Sequence, residues 1–168
     1  MLHPGIKIGE SKINEKGLIA TEFIPRGTII WVLDDTAKIF SAEEVSTFPA
    51  DFQAELSRYA YLDSRDQIVL LNDGGQYFNH SCNANSIDFD EVKAEIAVRD
   101  IYPGEEVTND YGLFIYDEVM NCECGETNCR KIIPRNYEAT RELYREKISE
   151  ALNKLSAVSQ PLLQGVDV

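Results

Sequence analysis

Tyr77-Phe78-Asn79-His80-Ser81-Cys82-Asn83-Ala84-Asn85 is the stretch on which the chain turns. Two aromatics, a histidine, a thiol and three side-chain amides stand in nine residues, directly after Gly74-Gly75-Gln76. Buried polar groups cost free energy unless each finds a partner, so a cluster this dense predicts a network completed by other segments. Two later stretches carry matching chemistry: Glu106-Val107-Thr108-Asn109-Asp110-Tyr111-Gly112, and Cys122-Glu123-Cys124-Gly125-Glu126-Thr127-Asn128-Cys129-Arg130.

Outward from the central stretch, short apolar runs alternate with turn residues. Gln67 to Leu71 predicts a buried strand, and Asn72-Asp73-Gly74-Gly75 the turn that feeds the cluster. Ile6-Lys7-Ile8, Leu18-Ile19-Ala20 and Thr28 to Leu33 predict further strands, with Pro25-Arg26-Gly27 between the last two. Period-2 alternation returns in Val92 to Val98, followed by the turn Tyr102-Pro103-Gly104-Glu105 and the strand-like Glu106-Val107-Thr108. Ser41-Ala42-Glu43-Glu44 is a capping box opening a short helix, and residues 51–59 place Phe52, Leu56 and Tyr59 on one helical face. The longest helix is predicted over 137–155, where Tyr137, Tyr144, Ile148, Ala151, Leu152 and Leu155 fall near helical spacing. Beyond it, a tail that includes Pro161 and Gly165 is expected to fray. The fold class is mainly β with short helices. No βαβ alternation and no Gly-x-Gly-x-x-Gly occurs, which disfavours a doubly wound dinucleotide fold.

The 168 residues suffice for one domain with its own core. The amino-terminal residues lack the basic region and apolar run of a signal peptide, and no apolar run approaches the roughly 18 residues of a membrane span. The expectation is a soluble intracellular protein with no membrane partner, cytoplasmic if bacterial and nuclear if eukaryotic or viral. Net charge is −13, from 16 basic and 29 acidic residues. Residues 88 to 126 alone hold 12 acidic side chains against Lys93 and Arg99. That balance opposes direct nucleic-acid binding and favours a basic protein partner; the same stretch also fits a plain solvated face. Four cysteines allow two disulfides or one metal site, and the close spacing of Cys122, Cys124 and Cys129 favours metal in a reducing compartment. A tetrahedral structural zinc site takes four such ligands, and Cys82 is the remaining cysteine. His3 is expected to be an exposed terminal residue.

In order and spacing, the three stretches resemble the SET-domain protein lysine methyltransferases. Members of that family carry a segment close to Asn-His-Ser-Cys-x-Pro-Asn, then Glu-Leu-Thr-aromatic-Asp-Tyr-Gly, then a post-SET Cys-x-Cys-x4-Cys. The resemblance runs from about Gly17 to Arg130. It implies a β-clip-like SET domain over 5–120, with the central and Tyr111 segments crossing in a knot-like arrangement, an exception to the rule that chains avoid knots. A post-SET zinc loop over 121–133 and a carboxyl-terminal helix and tail over 134–168 would follow, with no pre-SET region.

The resemblance also implies S-adenosylmethionine and zinc as cofactors and a protein lysine as acceptor, with a histone or another DNA-associated protein among the candidate substrates. Tyr111 falls at the catalytic tyrosine. Lys16, Gly17, Leu18, Tyr77, Asn79, His80 and Tyr111 fall at cofactor-binding positions, and Cys82, Cys122, Cys124 and Cys129 at the metal ligands. Asn109 stands where the family has the phenylalanine or tyrosine associated with the number of methyl groups added, so it and Tyr61 are expected along the substrate channel, Asn109 leaving it roomier or holding a water. The Tyr-x-Gly-Glu segment of the family is Leu33-Asp34-Asp35-Thr36 here, which leaves Trp31, Tyr59 or Tyr61 to supply the missing aromatic. Glu15 and Lys131 replace frequent glycines. By residue type alone, Asn79-His80 also fits a satisfied buried turn, and Tyr111 a core tyrosine at a strand end. Two other readings therefore stand beside the first: an inert zinc-stapled interaction module, and a methyltransferase for a non-histone protein. Oligomeric state is not legible.

Overall fold

The computed structural model describes residues 1–63, 65–89, 93–114 and 119–163. In chain order its elements are β1 (Ile6–Glu10), β2 (Lys16–Ala20), β3 (Ile29–Val32), β4 (Lys38–Phe40), α1 (Ala42–Ser46), α2 (Ala50–Tyr59), β5 (Ala60–Leu62) and β6 (Ile68–Leu70). They continue as β7 (Asn79–His80), β8 (Ser86–Phe89), β9 (Ala94–Ala97), β10 (Glu106–Asn109), β11 (Val119–Asn121), β12 (Ile132–Pro134), α3 (Tyr137–Leu143) and α4 (Arg145–Leu152). Short strands in small sheets dominate, as the pattern of brief apolar runs and turn residues requires.

The sheets have strand orders β1-β2-β10-β7, β3-β9-β8, β4-β6-β5 and β11-β12. β10 positions the site. It pairs antiparallel with β2 through Glu106↔Ile19 and Val107↔Leu18, and parallel with β7 through Thr108↔Asn79 and Asn109↔His80. Two polar segments some thirty residues apart therefore run side by side. Beneath them Leu18, Ile24, Ile30, Ile101 and Val107 are each fully enclosed, and each such burial contributes about 1.5–3 kcal/mol relative to exposure. A second cluster packs Ile87, Ile96 and Val98 against Tyr144, Ile148 and Ala151. At α1 the capping box is complete. Ser41 Oγ accepts from Glu44 N at 3.2 Å and Glu44 Oε2 accepts from Ser41 N at 2.8 Å.

Four local expectations are corrected. The helix over 137–155 is two helices, broken at Tyr144 (φ −106°, ψ 4°). The Tyr144 hydroxyl lies 3.1 Å from Asp110 Oδ2, 3.3 Å from the Cys82 carbonyl oxygen and 3.2 Å from Ala84 N. Buried polar contacts at this residue outweigh the helical period. The period-2 alternation read over Val92 to Val98 does not carry into burial: Ala94, Glu95, Ile96 and Ala97 are all buried, so both faces of β9 are covered; Val92 lies outside the described residues. The tail is docked up to Leu163. The Gln160 side chain accepts from Ile29 N at 2.8 Å and donates to the Gly27 and Leu155 carbonyls, whereas Gly165 lies outside the described residues. His3 is buried, accepts from Gly5 N at 3.0 Å, and loses basicity chiefly through burial.

Candidate active site and metal-binding cluster

A cavity of about 250 Å³ opens beside the junction of β7 and β10, and Trp31, Tyr59, Tyr61, Phe78, Tyr111 and Phe114 give it an aromatic wall. The rings meet in series. Tyr61 and Phe114 have centroids 5.6 Å apart, Phe114 and Tyr111 5.7 Å, and Tyr111 and His80 5.5 Å. Tyr61, expected along a substrate channel, lines this cavity. Trp31, Tyr59 and Tyr61, the three aromatics named for the missing tyrosine, all line it. Trp31 keeps its indole N–H satisfied away from the cavity, donating to Asp73 Oδ2 at 2.7 Å.

Lys16, Gly17, Tyr77 and Asn79 meet along one edge. Asn79 Nδ2 lies 2.8 Å from the Lys16 carbonyl oxygen, 2.7 Å from Glu106 Oε1 and 3.1 Å from Ser11 Oγ. Lys16 Nζ lies 5.4 Å from the centre of the Tyr77 ring. A Cβ on Gly17 would fall 2.2 Å from Glu106 Oε1 and 3.0 Å from Asn79 Nδ2. The close approach that Gly17 permits is therefore to the site's own carboxylate and amide. Leu18, grouped with these residues in the sequence, is a fully enclosed core side chain.

Tyr111 follows β10 after Asp110. Its backbone N donates to His80 Nδ1 at 3.1 Å, and its hydroxyl donates to the Phe78 carbonyl at 2.5 Å. Burial first, and then Glu95 and Glu106 whenever they carry charge, push the phenol up to about 12. Behind it, Asp110 is fully enclosed, and among the described residues its carboxylate has three hydrogen-bond partners. Arg130 lies 2.6 and 2.5 Å from its two oxygens, Gly112 N donates at 3.1 Å, and the Tyr144 hydroxyl is the third. A Cβ on Gly112 would fall 2.4 Å from Thr140 Oγ1, so this glycine lets α3 pack onto the turn.

Asn109 is not a wall of the cavity. It is fully enclosed, donates from Nδ2 to Glu95 Oε1, and accepts from Asp110 N at 2.6 Å. Instead of making room or holding a water, it holds Glu95, and Glu95 lines the cavity. The sequence reading missed Glu95, Phe78, Phe114 and Asp88 as lining residues. A lone acid within the apolar run Ala94-Glu95-Ile96-Ala97 was the available signal for the first.

All four cysteines gather on the far side of His80. Cys82 and Cys122 Sγ are 3.8 Å apart and Cys122 and Cys129 Sγ 3.6 Å apart, while His80, Cys82, Cys122 and Cys124 place donor atoms within 4.8 Å of one another. The donor set fits a thiolate-bound metal ion. The Cys129 thiol is drawn down to about 7, first by the backbone N–H of Lys131, and Arg130 N donates to Cys82 Sγ at 3.3 Å. His80 makes a fifth candidate donor, but Tyr111 N points at its Nδ1, so the proton sits on Nε2, 3.4 Å from Cys82 Sγ. Burial holds the imidazole down to about 4, against Asp110 and with Arg130. A neutral ring donating to Cys82 supports a thiolate rather than competing for the ion.

The family model for the SET domain matches residues 15–112. The chain belongs to the SET-domain family. It is similar to the histone-lysine N-methyltransferase trr of Drosophila melanogaster, with 30% identity over 138 residues covering 75% of this chain and 6% of that protein. Set9 of Emericella nidulans, also named a histone-lysine N-methyltransferase, is 32% identical over 129 residues, covering 73% and 19%. The chain thus spans less than a fifth of either relative. Among solved structures, the methyltransferase domain of human histone-lysine N-methyltransferase SETMAR superposes with a TM-score of 0.52 at 21% identity, covering 80% of this chain and 58% of that one. KRYPTONITE in complex with mCHG DNA and SAH gives 0.51 at 18%, covering 76% and 28%. Both share the SET fold with this chain.

Two departures from the SET pattern now have a physical meaning. Glu15 and Lys131, which replace frequent glycines, both have positive φ, +31° and +66°. A side chain in that region is strained by about 1–2 kcal/mol. Lys131→Gly should therefore raise stability by about 0.5–1 kcal/mol, the strain relieved less the added freedom of glycine in the unfolded chain. Glu15→Gly should gain less, because it also loses the exposed pair with Arg58. Urea midpoints of the two variants measure both effects.

Proposed function

We propose that the chain is an S-adenosylmethionine-dependent methyltransferase for a lysine side chain on a basic protein, and that its cysteine cluster holds zinc. The observation that carries the reading is the Tyr111 hydroxyl. Its single proton is given to Phe78, which leaves its lone pairs to face a positively polarised group in the aromatic cavity. The names of the relatives point to histones as a substrate class, and the net charge of −13 suits a lysine-rich partner.

When bound, S-adenosylmethionine would supply a methyl group activated by its positive sulfur. Lys16, Gly17, Tyr77, Asn79 and His80 are the residues we assign to holding it. The aromatic wall excludes water and disfavours the ammonium form of a lysine, which otherwise loses its proton near 10.4. Tyr111, still protonated far above neutral pH, is a fixed dipole rather than a base. Cys82, Cys122, Cys124 and Cys129 would hold zinc, tying the loop that carries Arg130 to the site through Asp110.

The test begins with a calorimetric titration of metal-replete protein with S-adenosylmethionine, followed by transfer of its labelled methyl group to mixed core histones and to ribosomal proteins. Saturable one-site binding, lost in an Asn79→Ala/His80→Ala double variant, with label on lysine, is the expected result. No binding by folded, metal-loaded protein would leave the inert module instead. Label on ribosomal proteins alone would move the substrate away from histones.

A further inference from the structure

Glu95 is a carboxyl group that the lysine-methylation reading does not use, although it stands in the wall of the acceptor cavity. Only 4% of it is exposed, and it rises from the middle strand of the β3-β9-β8 sheet, opposite Trp31 on one side and Asp88 on the other. Both of those residues also line the cavity. Its two oxygens are held separately. Oε1 accepts from Asn109 Nδ2, and Oε2 lies 2.7 Å from Ser86 Oγ.

The two contacts of Ser86 bear on where a proton sits. Its Oγ lies 3.1 Å from the Thr108 carbonyl as well as 2.7 Å from Glu95 Oε2. A carbonyl can only accept, and a hydroxyl has one proton to give. Both contacts are satisfied together when Glu95 brings its own proton to Ser86 and Ser86 passes its proton to Thr108. An empty cavity thus favours neutral Glu95. Burial acts in the same direction and Asp88 adds to it, whereas a Ser86 hydroxyl turned to donate to Oε2 acts against it and gives up its bond to the Thr108 carbonyl. The other titratable groups on the cavity wall are Arg58, Tyr59, Tyr61 and Tyr111.

We propose that Glu95 is the proton acceptor for the substrate amine: in the filled cavity Glu95 and the incoming lysine share one proton, and the form with that proton on Glu95 presents the amine lone pair for transfer. The inference rests on the methyltransferase reading of the same cavity. A lysine arrives as an ammonium and meets a neutral acid, and the pair keeps one proton fewer than its separate members, so binding releases one proton to solvent. Within the pair, an N–H bond breaks with its electrons remaining on nitrogen while an O–H bond forms on Glu95. The lone pair then forms the N–C bond to the methyl of a sulfonium donor as the C–S electrons leave with sulfur. Methylammonium product departs and Glu95 is left neutral, as it began. Asn109, at the position of the family's aromatic, thereby acquires a task of its own: it orients this acid.

Glu95→Gln keeps the shape and the Asn109 contact but cannot exchange the proton. Calorimetry of deca-L-lysine binding, in buffers of different ionisation enthalpy, counts protons released. Wild-type protein is expected to release about one more per bound peptide at neutral pH than the variant does. Methyl transfer by the variant should fall by about 10²-fold at neutral pH and climb about tenfold per pH unit toward the lysine range near 10.4, a recovery that a misfolded protein would not make. Equal proton counts and equal pH profiles would overturn the proposal. Should the variant not fold, infrared spectra of the empty wild-type protein decide: a protonated-carboxyl band at neutral pH is expected, and its absence overturns the proposal. If wild-type protein transfers no methyl group to any basic protein, the methyltransferase reading fails, and the proton count still reports whether a lysine meets Glu95.

Discussion

Replacing Tyr111 by phenylalanine should lower methyl transfer by about 10²-fold or more while folding and cofactor binding stay near the wild-type values. Losing one preorganised polar group at a reacting centre typically costs 10²–10³ in rate. Here the hydroxyl is preorganised twice, by its bond to the Phe78 carbonyl and by its backbone bond to His80. The ring itself packs against Phe114 and His80 and remains in the variant, so the cavity keeps its shape. Because the phenol is pushed up to about 12, wild-type activity should show no loss assignable to Tyr111 ionisation below about pH 11. Single-turnover rates with labelled donor, beside a calorimetric binding constant, separate the two quantities. A variant that turns over at the wild-type rate would remove Tyr111 from the chemistry.

The second large effect is expected at Cys122. Cys122→Ser removes the thiol that lies within 4 Å of both Cys82 and Cys129. The loop around it has little else to hold it. Of the apolar side chains in this cluster, Ile133 is fully enclosed, while Met120, Cys124 and Cys129 are half-buried. Structural zinc supplies folding energy on the order of 10 kcal/mol to small sites that lack a core. On the proposed zinc assignment the variant should lose its metal, several degrees of thermal midpoint, and protection of residues 121–131 from protease. Cofactor binding should weaken with it, because Arg130 bonds both Cys82 and Asp110. A chelator should reproduce these changes in the wild-type protein. Full metal content and an unshifted midpoint in the variant would count against the assignment.

The strands, the capped helix and the grouping of Cys122, Cys124 and Cys129 were legible because each depends on neighbours in sequence: a period of two, a Ser-x-x-Glu spacing, a Cys-x-Cys-x4-Cys loop; Cys82, 40 residues from Cys122, joined them through the resemblance. What sequence hid was long-range. Asn109 looked like a vacancy in a channel, since nothing local says that Glu95 reaches it from another strand. Tyr144 looked like one more apolar position of a helix, until its hydroxyl met Asp110. Period-2 counting misjudged β9 for the same reason, because burial on both faces is decided by what packs over a strand. Glu15 and Lys131 show the converse. A resemblance marked them as departures from glycine, and the backbone angles supply the reason.

The strand order β1-β2-β10-β7 also has a consequence during synthesis. The β1–β2 hairpin can close as soon as Ala20 leaves the ribosome, but one edge of β2 waits for Glu106 and Val107, roughly 85 residues later. At about 5–20 residues per second, that edge stays open for roughly 4–17 seconds. An unpaired edge is a template for joining another chain. Nascent chains stalled before Val107 has left the ribosome should therefore depend on a chaperone more heavily than those in which it has emerged, and ribosome profiling of chaperone-bound chains would place the change there.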